Sequence, residues 1–416
     1  MRDKTLQHSQ DDFLQSQSII ALYSDIGRGH PSYLDSLVFL LKKRYPHPMD
    51  PNSDLVCRTV FQESKGISLF SWRFLSRLYR ISGKGGLQTK FYNLMRRRSP
   101  KDSLVMKILG RDLKRAYKNF SGICLADHPI IAQALKDVCR VWYVHGEIAA
   151  PKECAVRGAE RILVPLDETK EKLITQGVEK ESILVCGLMI EPQLVENAEL
   201  SYQMRLERIR SNQPLTVGFF TSGAYPKEHI EKIILGVKSV IEKKMKAIIF
   251  CGTNPQKFEW VKNKVFLLGR ELDRHQICIE DKGEIQYENK EFDLMLVTRK
   301  TRQEDTQRST ELFPRLDVFV SASHERTNWA VGLGLPMFVL FPLIGTFASQ
   351  NFEFAQKQKV VYPLDSTEKA ANLGQILSDL KKSDQLFQMT QNGFGVHRIN
   401  GIDTAVSHFA KDSGKI

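Results

Sequence analysis

Nowhere in the 416 residues does an apolar run approach the roughly 18 positions that a membrane-spanning helix needs. The first eighteen residues, MRDKTLQHSQDDFLQSQS, also lack the apolar stretch of a secretory signal, which points to a protein kept in the cytoplasm. No CxxC or HxxxH spacing occurs, and the seven cysteines (57, 124, 139, 154, 186, 251 and 278) stand apart from one another. That pattern speaks against a zinc site or a disulfide framework and predicts reduced thiols, mostly in the core. No cluster of metal ligands is present, so no metal is expected. Low-complexity tracts are missing too, and a chain with 42% hydrophobic and 26% charged residues is neither disordered nor fibrous.

One further scarcity is local. From Ser71 to Lys101 there is no acidic residue, and as far as Lys118 only Asp102 and Asp112 stand against fourteen Lys and Arg. Segment 71–118 therefore carries the whole formal excess of +12. Such a distribution predicts a local cationic patch rather than a uniformly basic nucleic-acid binder, and no recognition motif accompanies the charge.

What is present is a recurrent alternation. Short runs rich in Val, Ile, Leu and Phe appear at 19–25, 122–128, 140–146, 161–167 and 182–188, and they read as buried parallel strands. Helical stretches lie between them at Ser32–Arg44, Pro129–Lys136 and Glu168–Thr175, as in a doubly wound sheet. A second series opens at 215–223 and continues through a helix near Lys227–Lys244 to strands at 246–252, 317–323 and 336–342. The length suits about two domains. The expected division is an N-terminal domain over 1–195, a partly helical connection over 196–214, a second domain over 215–390 and a helical tail over 391–416. The charged stretches 280–290 and 300–308 read as loops or an inserted hairpin.

Three strand-to-helix loops carry residues suited to chemistry. After the first strand comes Ser24-Asp25-Ile26-Gly27-Arg28-Gly29-His30. The glycines Gly27 and Gly29 permit a tight turn and, with Arg28 between them, a close approach of backbone to ligand. The following helix N-terminus offers N–H groups to an anion. His30 at its mouth suits a general base near neutral pH. In the second half, Thr221-Ser222-Gly223-Ala224 precedes a helix in the same way, and its hydroxyls either hold phosphate oxygens or simply cap the helix. A third loop, Ser323-His324-Glu325-Arg326-Thr327, gathers donors suited to a diphosphate.

Taken in order, these loops resemble the GT-B glycosyltransferases, and most closely the branch of monogalactosyldiacylglycerol synthases, diacylglycerol glucosyltransferases and the peptidoglycan N-acetylglucosaminyltransferase. SDIGRGHPSYLDSL (24–37) is similar to that branch's SDxGGGHxxxAxAL opening, and AERILVPLDETKEKLITQGVEKESILVCGLMIEP (159–192) to the stretch ending its first domain. AIIFCGTNPQ (247–256) resembles a VVxCGxN strand end, and LDVFVSASHERTNWAVGLGLPMFVLFPLIGTFASQN (316–351) the donor-site segment. The resemblance implies two Rossmann-like doubly wound domains facing a cleft. It also implies an inverting, metal-independent transfer from a nucleotide sugar, usually a UDP-sugar, with no resident cofactor.

On this resemblance His30 matches the family base. Ser222, Gly223, Ala224, Ser323, His324, Glu325, Arg326, Thr327, Gln350 and Asn351 fall on the donor side, and Gly27, Arg28 and Gly29 form the acceptor loop. The chain departs from the pattern in several places. Trp329 stands where the family keeps its ribose-binding glutamate, Met189 and Glu191 replace the proline and arginine of VxGxPxR, and Ile344–Gln350 replaces PGQExGN with Asn351 one place late.

The basic segment bears on the acceptor. Arg73, Arg77, Arg80 and Lys84 are spaced 4, 3 and 4 apart, which at about 100° per residue makes one helical stripe. Trp72, Phe74, Leu75, Leu78, Tyr79 and Ile81 cover the rest. Two readings stand side by side: a helix at an anionic membrane surface with Trp72 and Tyr79 near headgroup depth, or an apolar face packed on the protein's own core. The first predicts a glycosyltransferase acting on a lipid or lipid-linked hydroxyl, peripheral at the inner face of the cell membrane. The alternatives are a non-catalytic GT-B relative that binds a ligand or partner, and a sugar-nucleotide epimerase on the same fold.

Overall fold

The computed structural model describes residues 19–24, 29–44, 55–82, 104–271, 277–285 and 292–412. They fall into two compact units, the first drawn from within Met1–Arg80, Phe91–Pro192 and Arg398–Ile416, the second from within Ile81–Lys90 and Gln193–His397.

In chain order the first unit contains β1 (Ile19–Tyr23), α1 (Gly29–Arg44), β2 (Leu55–Thr59), α2 (Val60–Glu63), α3 (Gly66–Ser82) and α4 (Leu104–Tyr117). It continues with β3 (Ile123–Ala126), α5 (Pro129–Leu135), β4 (Arg140–Val144), β5 (Arg161–Val164), α6 (Asp167–Thr175) and β6 (Ile183–Val185). These six strands form one parallel sheet in the order β2-β1-β3-β4-β5-β6. Every residue of β3, and all of β4 but its first, is buried. Covered on both faces, such strands read as unbroken apolar runs, which is why the sequence reveals them.

The second unit opens with the short helices α7 (Pro192–Glu196) and α8 (Ala198–Arg210), then β7 (Thr216–Phe220), α9 (Lys227–Glu242), β8 (Lys246–Phe250) and α10 (Pro255–Glu271). There follow β9 (Ile277–Asp281), β10 (Glu284–Ile285), β11 (Leu294–Val297), α11 (Arg302–Leu312), β12 (Val318–Ser321), α12 (Thr327–Leu333), β13 (Met337–Leu340), α13 (Thr346–Lys357) and β14 (Val361–Leu364). The chain ends in α14 (Thr367–Ala371), α15 (Leu373–Lys382), α16 (Gln385–Asn392) and α17 (Gly401–Asp412). The sheet order is β10-β9-β11-β8-β7-β12-β13-β14, parallel throughout except for the β9–β10 hairpin.

Several boundaries differ from the sequence expectation. The stretch read as a connection is largely α8, a working part of the second unit. Its Arg205 is fully buried and donates to the carbonyls of Leu316 (3.1 Å), Leu333 (2.9 Å) and Gly334 (3.0 Å). The charged stretch around 300–308 is α11, started by a reciprocal capping box between Thr301 and Glu304. The edge strand β2 leaves Val56, Cys57 and Arg58 exposed, so Cys57 is not a core thiol.

The tail divides. α16 stays in the second unit, whereas Ile402, Ala405, Val406 and Phe409 of α17 complete the core of the first, with Phe409 edge-on to Trp142 at 5.1 Å. An Arg44–Asp403 ion pair joins α17 to α1. Phe409→Ala is expected to cost the first unit about 3–5 kcal/mol, the usual effect of emptying a buried aromatic site. Urea unfolding followed through Trp142 fluorescence measures it, and a loss below about 1 kcal/mol would mean that α17 is dispensable.

Candidate functional site

In an open parallel sheet the connections leave on opposite sides wherever the strand order reverses, and the crevice outside the strand carboxyl ends is the natural binding place. In the first unit the reversal lies between β1 and β3, since β2 is on one side of β1 and β3 to β6 on the other. Ser24 follows β1 and Asp127-His128 follow β3. The Asp127 carboxylate accepts from the Ser24 backbone N–H (3.0 and 3.1 Å) and from its Oγ (3.1 Å), all in the interior. His30, in the first turn of α1, is half-buried and packs edge-to-face with His128, ring centroids 5.2 Å apart at 71°. His128 is itself the N-cap of α5, its Nδ1 accepting from Ile130 N–H at 3.2 Å.

The next strand end adds His145-Gly146-Glu147. His145 is buried between the Tyr143 hydroxyl (3.0 Å) and the Ala149 carbonyl (3.0 Å). A side chain at Gly146 would meet the ring of Tyr33 on α1 at 2.3 Å, so the glycine permits α1 and this loop to lie against each other. Glu147 is buried beside it.

In the second unit the order reverses between β7 and β12, and the two loops singled out from sequence leave those two strands. In the first, Thr221 Oγ1 donates to the Phe250 carbonyl (3.0 Å), and Tyr225, at a positive φ of 52°, donates its hydroxyl to the Cys251 carbonyl. Lys257, from the first turn of α10, reaches the Gly223 carbonyl at 3.2 Å and lies 4.3 Å over the Tyr225 ring. Ser222 and Ala224 are half-buried and Gly223 is exposed.

In the second loop Ser323, Thr327 and Asn351 are buried and bound to one another. Ser323 Oγ pairs with Thr327 Oγ1 at 3.3 Å, and the Asn351 amide donates to the Ser323 carbonyl at 3.3 Å. These three brace the loop. His324, Glu325 and Gln350 are half-buried at the surface. Arg326 donates to Glu325 at 2.9 Å while its guanidinium lies 4.3 Å over Phe220 and 5.2 Å over Trp329. Trp329 therefore takes no part of the kind expected of a ribose-binding carboxylate. It is buried against Phe220, Phe313 and Phe319 and supports Arg326 from below.

Behind β9, burial alone would raise the Glu280 carboxyl, but hydrogen bonds from Arg308 and Arg299 outweigh it and hold the group below its ordinary value. Among the described residues no group of three or more His, Cys, Asp or Glu is arranged to hold a metal ion.

The basic helix α3 is turned differently from the sequence expectation. Trp72 is fully buried and its indole N–H donates to the Leu109 carbonyl of α4 (3.1 Å), as does Ser68 Oγ (3.1 Å). Trp72 is thus a core residue and cannot sit at headgroup depth. Tyr79 is half-buried. Outward instead are Ile67, Phe70 and Phe74, 62%, 70% and 59% exposed, with Arg73 and Arg77 exposed among them. The adjoining α4 exposes Lys107, Arg111, Lys114 and Arg115. Gly27, Arg28 and Lys84 lie outside the described residues, as does the Arg80 side chain.

Asp127, His128, Lys257 and His229 carry no signal of a site in the sequence pattern. The first two were absorbed into the strand 122–128, although His-Pro at the end of an apolar run is itself a helix-start signal. His229 Nε2–H donates to the Pro342 carbonyl at 2.9 Å from inside α9, a contact that only the fold creates.

No protein-family model matches the chain, and no curated protein is similar to it in sequence. Solved structures are similar in fold. The UDP-GlcNAc 2-epimerase of Neisseria meningitidis bound to UDP-GlcNAc shares 13% identity over 95% of this chain and 100% of its own, at a TM-score of 0.57. The S. aureus MnaA–UDP structure shares 11% over 96% and 98%, at 0.56. The UDP-GlcNAc 2-epimerase of Methanocaldococcus jannaschii, in complex with UDP-GlcNAc and UDP, shares 10% over 95% and 99%, at 0.50. At such identities what is shared is the fold, the pair of Rossmann-like units of the GT-B class. The narrower kinship with lipid glycosyltransferases is not carried by these structures.

Burial pulls His145 and His229 down to about 4. Unfolded, each would take up a proton near pH 6.5, so the unfolded chain binds more protons between about 6.5 and 4. Their stabilising contribution is complete above that window and is lost as pH falls through it, by on the order of 3 kcal/mol each. Denaturant midpoints are therefore expected to fall steeply from pH 6.5 to 4.5. In histidine Cε1–H NMR spectra, two of the ten histidines should stay in their neutral positions down to pH 5. Titration of all ten near 6.5 would refute the assignment.

Proposed function

We propose that the chain is a glycosyltransferase that moves a sugar from a nucleotide sugar, a UDP-sugar in the first instance, to a lipid or lipid-linked hydroxyl. The observation that carries this reading is topological: the loops that resemble the acceptor and donor motifs fall at the two strand-order reversals, one in each unit. In the first unit, His30 takes the proton of the acceptor hydroxyl as its oxygen bonds to the anomeric carbon and the bond to the diphosphate breaks with inversion. In the second, the Ser222–Ala224 loop, His324 and Arg326 receive the diphosphate, whose charge grows in the transition state. The nucleotide sugar is substrate, and the reading calls for no resident cofactor and no metal.

The exposed face of α3 and α4 supports a lipid acceptor. Ile67, Phe70 and Phe74 offer apolar area, and the flanking arginines and lysines offer on the order of 1 kcal/mol each at an anionic surface. No helix among the described residues is long and apolar enough to cross a bilayer, so attachment would be to the surface. A second reading, epimerisation of the sugar nucleotide without an acceptor, draws on the names of the solved structures that share the fold.

Nucleotide release from UDP-glucose, UDP-galactose and UDP-GlcNAc, with and without membrane lipid extract, separates the possibilities. Release that requires lipid, and that falls about 10²–10⁴-fold in a folded His30→Ala variant, is the expected result. Conversion of the sugar without lipid selects epimerisation. Neither activity with any donor selects a binding protein.

For the surface, flotation with vesicles of phosphatidylcholine alone or with 30% phosphatidylglycerol is the direct measurement. Recovery on the anionic vesicles, abolished in Phe70→Glu/Phe74→Glu, is expected. Equal recovery in the soluble fraction for both compositions would remove the lipid surface from the proposal.

A further inference from the structure

We propose that His128 is a positioning residue for His30, an inference that rests on the reading of His30 as the base. Three observations carry it. The two imidazoles pack edge-to-face at 5.2 Å and 71°, close enough for each ring to restrict the rotamers of the other. One follows β3 and the other stands in the first turn of α1, the helix after β1, so they lie on the two sides of the strand-order reversal. Lastly, His128 does a capping job for which histidine is a poor choice: Asn, Asp, Ser and Thr are the favoured N-cap residues, and α5 already has proline in its first turn. A residue that departs from the local preference while its ring meets a candidate base is serving the ring contact as well as the cap.

The cap also fixes the ring. With Nδ1 accepting the Ile130 N–H at 3.2 Å, the neutral imidazole carries its proton on Nε2, and its plane is set by the backbone of α5. α5 in turn is anchored to the sheet by Ile131, Ala132 and Leu135, all buried. Asp127, one residue earlier, ties the same strand end to Ser24. His128 is thus a rigid wall against which the more exposed His30 rests. A base held in one orientation by its neighbours reacts from a ready geometry, and a misplacement of about 1 Å costs on the order of 10²-fold in rate.

Four variants separate the ring contact from the cap. His128→Asn keeps a capping acceptor, its amide oxygen in place of Nδ1, and removes the ring; His128→Phe keeps a ring and removes the cap, His128→Ala removes both, and His30→Ala tests the base. Lipid-dependent UDP release and thermal melting are measured on each full-length protein. The expected result is a crossing of the two readouts. His128→Asn melts near wild type but loses about 10–100-fold in kcat with little change in KM for the donor. His128→Phe melts lower yet retains more turnover than His128→Asn. Turnover that follows melting temperature across the series, or an unaltered kcat in His128→Asn while His30→Ala is inactive, would overturn the positioning role and leave the proposed reaction standing. Absence of release by wild type, or full activity in His30→Ala, would overturn the role of His30 and this inference together.

Discussion

Where a parallel sheet reverses the direction of its crossovers, two neighbouring strands end with their chains departing on opposite faces, and the last backbone groups have no ladder to join. Those groups are buried polar atoms and need partners. In the first unit Asp127 supplies them, accepting both the backbone and hydroxyl hydrogens of Ser24. This one carboxylate fixes the relative position of the β1 and β3 ends, and through them the approach of His128 to His30. The second unit meets the same need differently: Thr221 closes onto the Phe250 carbonyl across β7 and β8, and Ser323, Thr327 and Asn351 bind one another beyond β12. With the loop backbones held in this way, His30, His324 and Glu325 stay half-buried at the loop surfaces.

The parts of the fold legible in sequence are those buried on both faces. β1, β3, β4, β5, β7, β8, β12 and β13 are apolar runs because helices cover both sides of the sheet. β2 escapes notice because it is an exposed edge, LVCRT, and β11 because four residues, Leu294–Val297, follow directly on a charged stretch. α11 escapes because its helix signal is a pair of caps rather than a periodic apolar face. Direction is harder to read than element type. The helix over Gly66–Ser82 carries Arg73 and Arg77 of the basic stripe read from sequence, yet the sequence offers several aromatic residues and no means of deciding which of them turns inward. The interior places Trp72, whose N–H finds the Leu109 carbonyl, and leaves Phe70 and Phe74 outside. Likewise α17 carries an apolar face whose destination, the core of the first unit, depends on where the chain has travelled.

Trp329 is a buried aromatic floor for the loop that carries Arg326. Where the resembled donor segment has a carboxylate, the indole offers no acceptor and instead supplies a buried aromatic surface under Arg326, with Phe220 beside it. The guanidinium has aromatic contacts with Phe220 and Trp329 and an ion pair with Glu325. Glu325 and Arg326 are only 18% and 9% exposed in their side chains, so the pair is largely withdrawn from water, and its charges interact more strongly than a surface pair would. A ligand that reaches this loop meets a neutral pair rather than a bare cation. A diphosphate carries more negative charge than a single carboxylate and can compete for Arg326, whereas an uncharged sugar cannot.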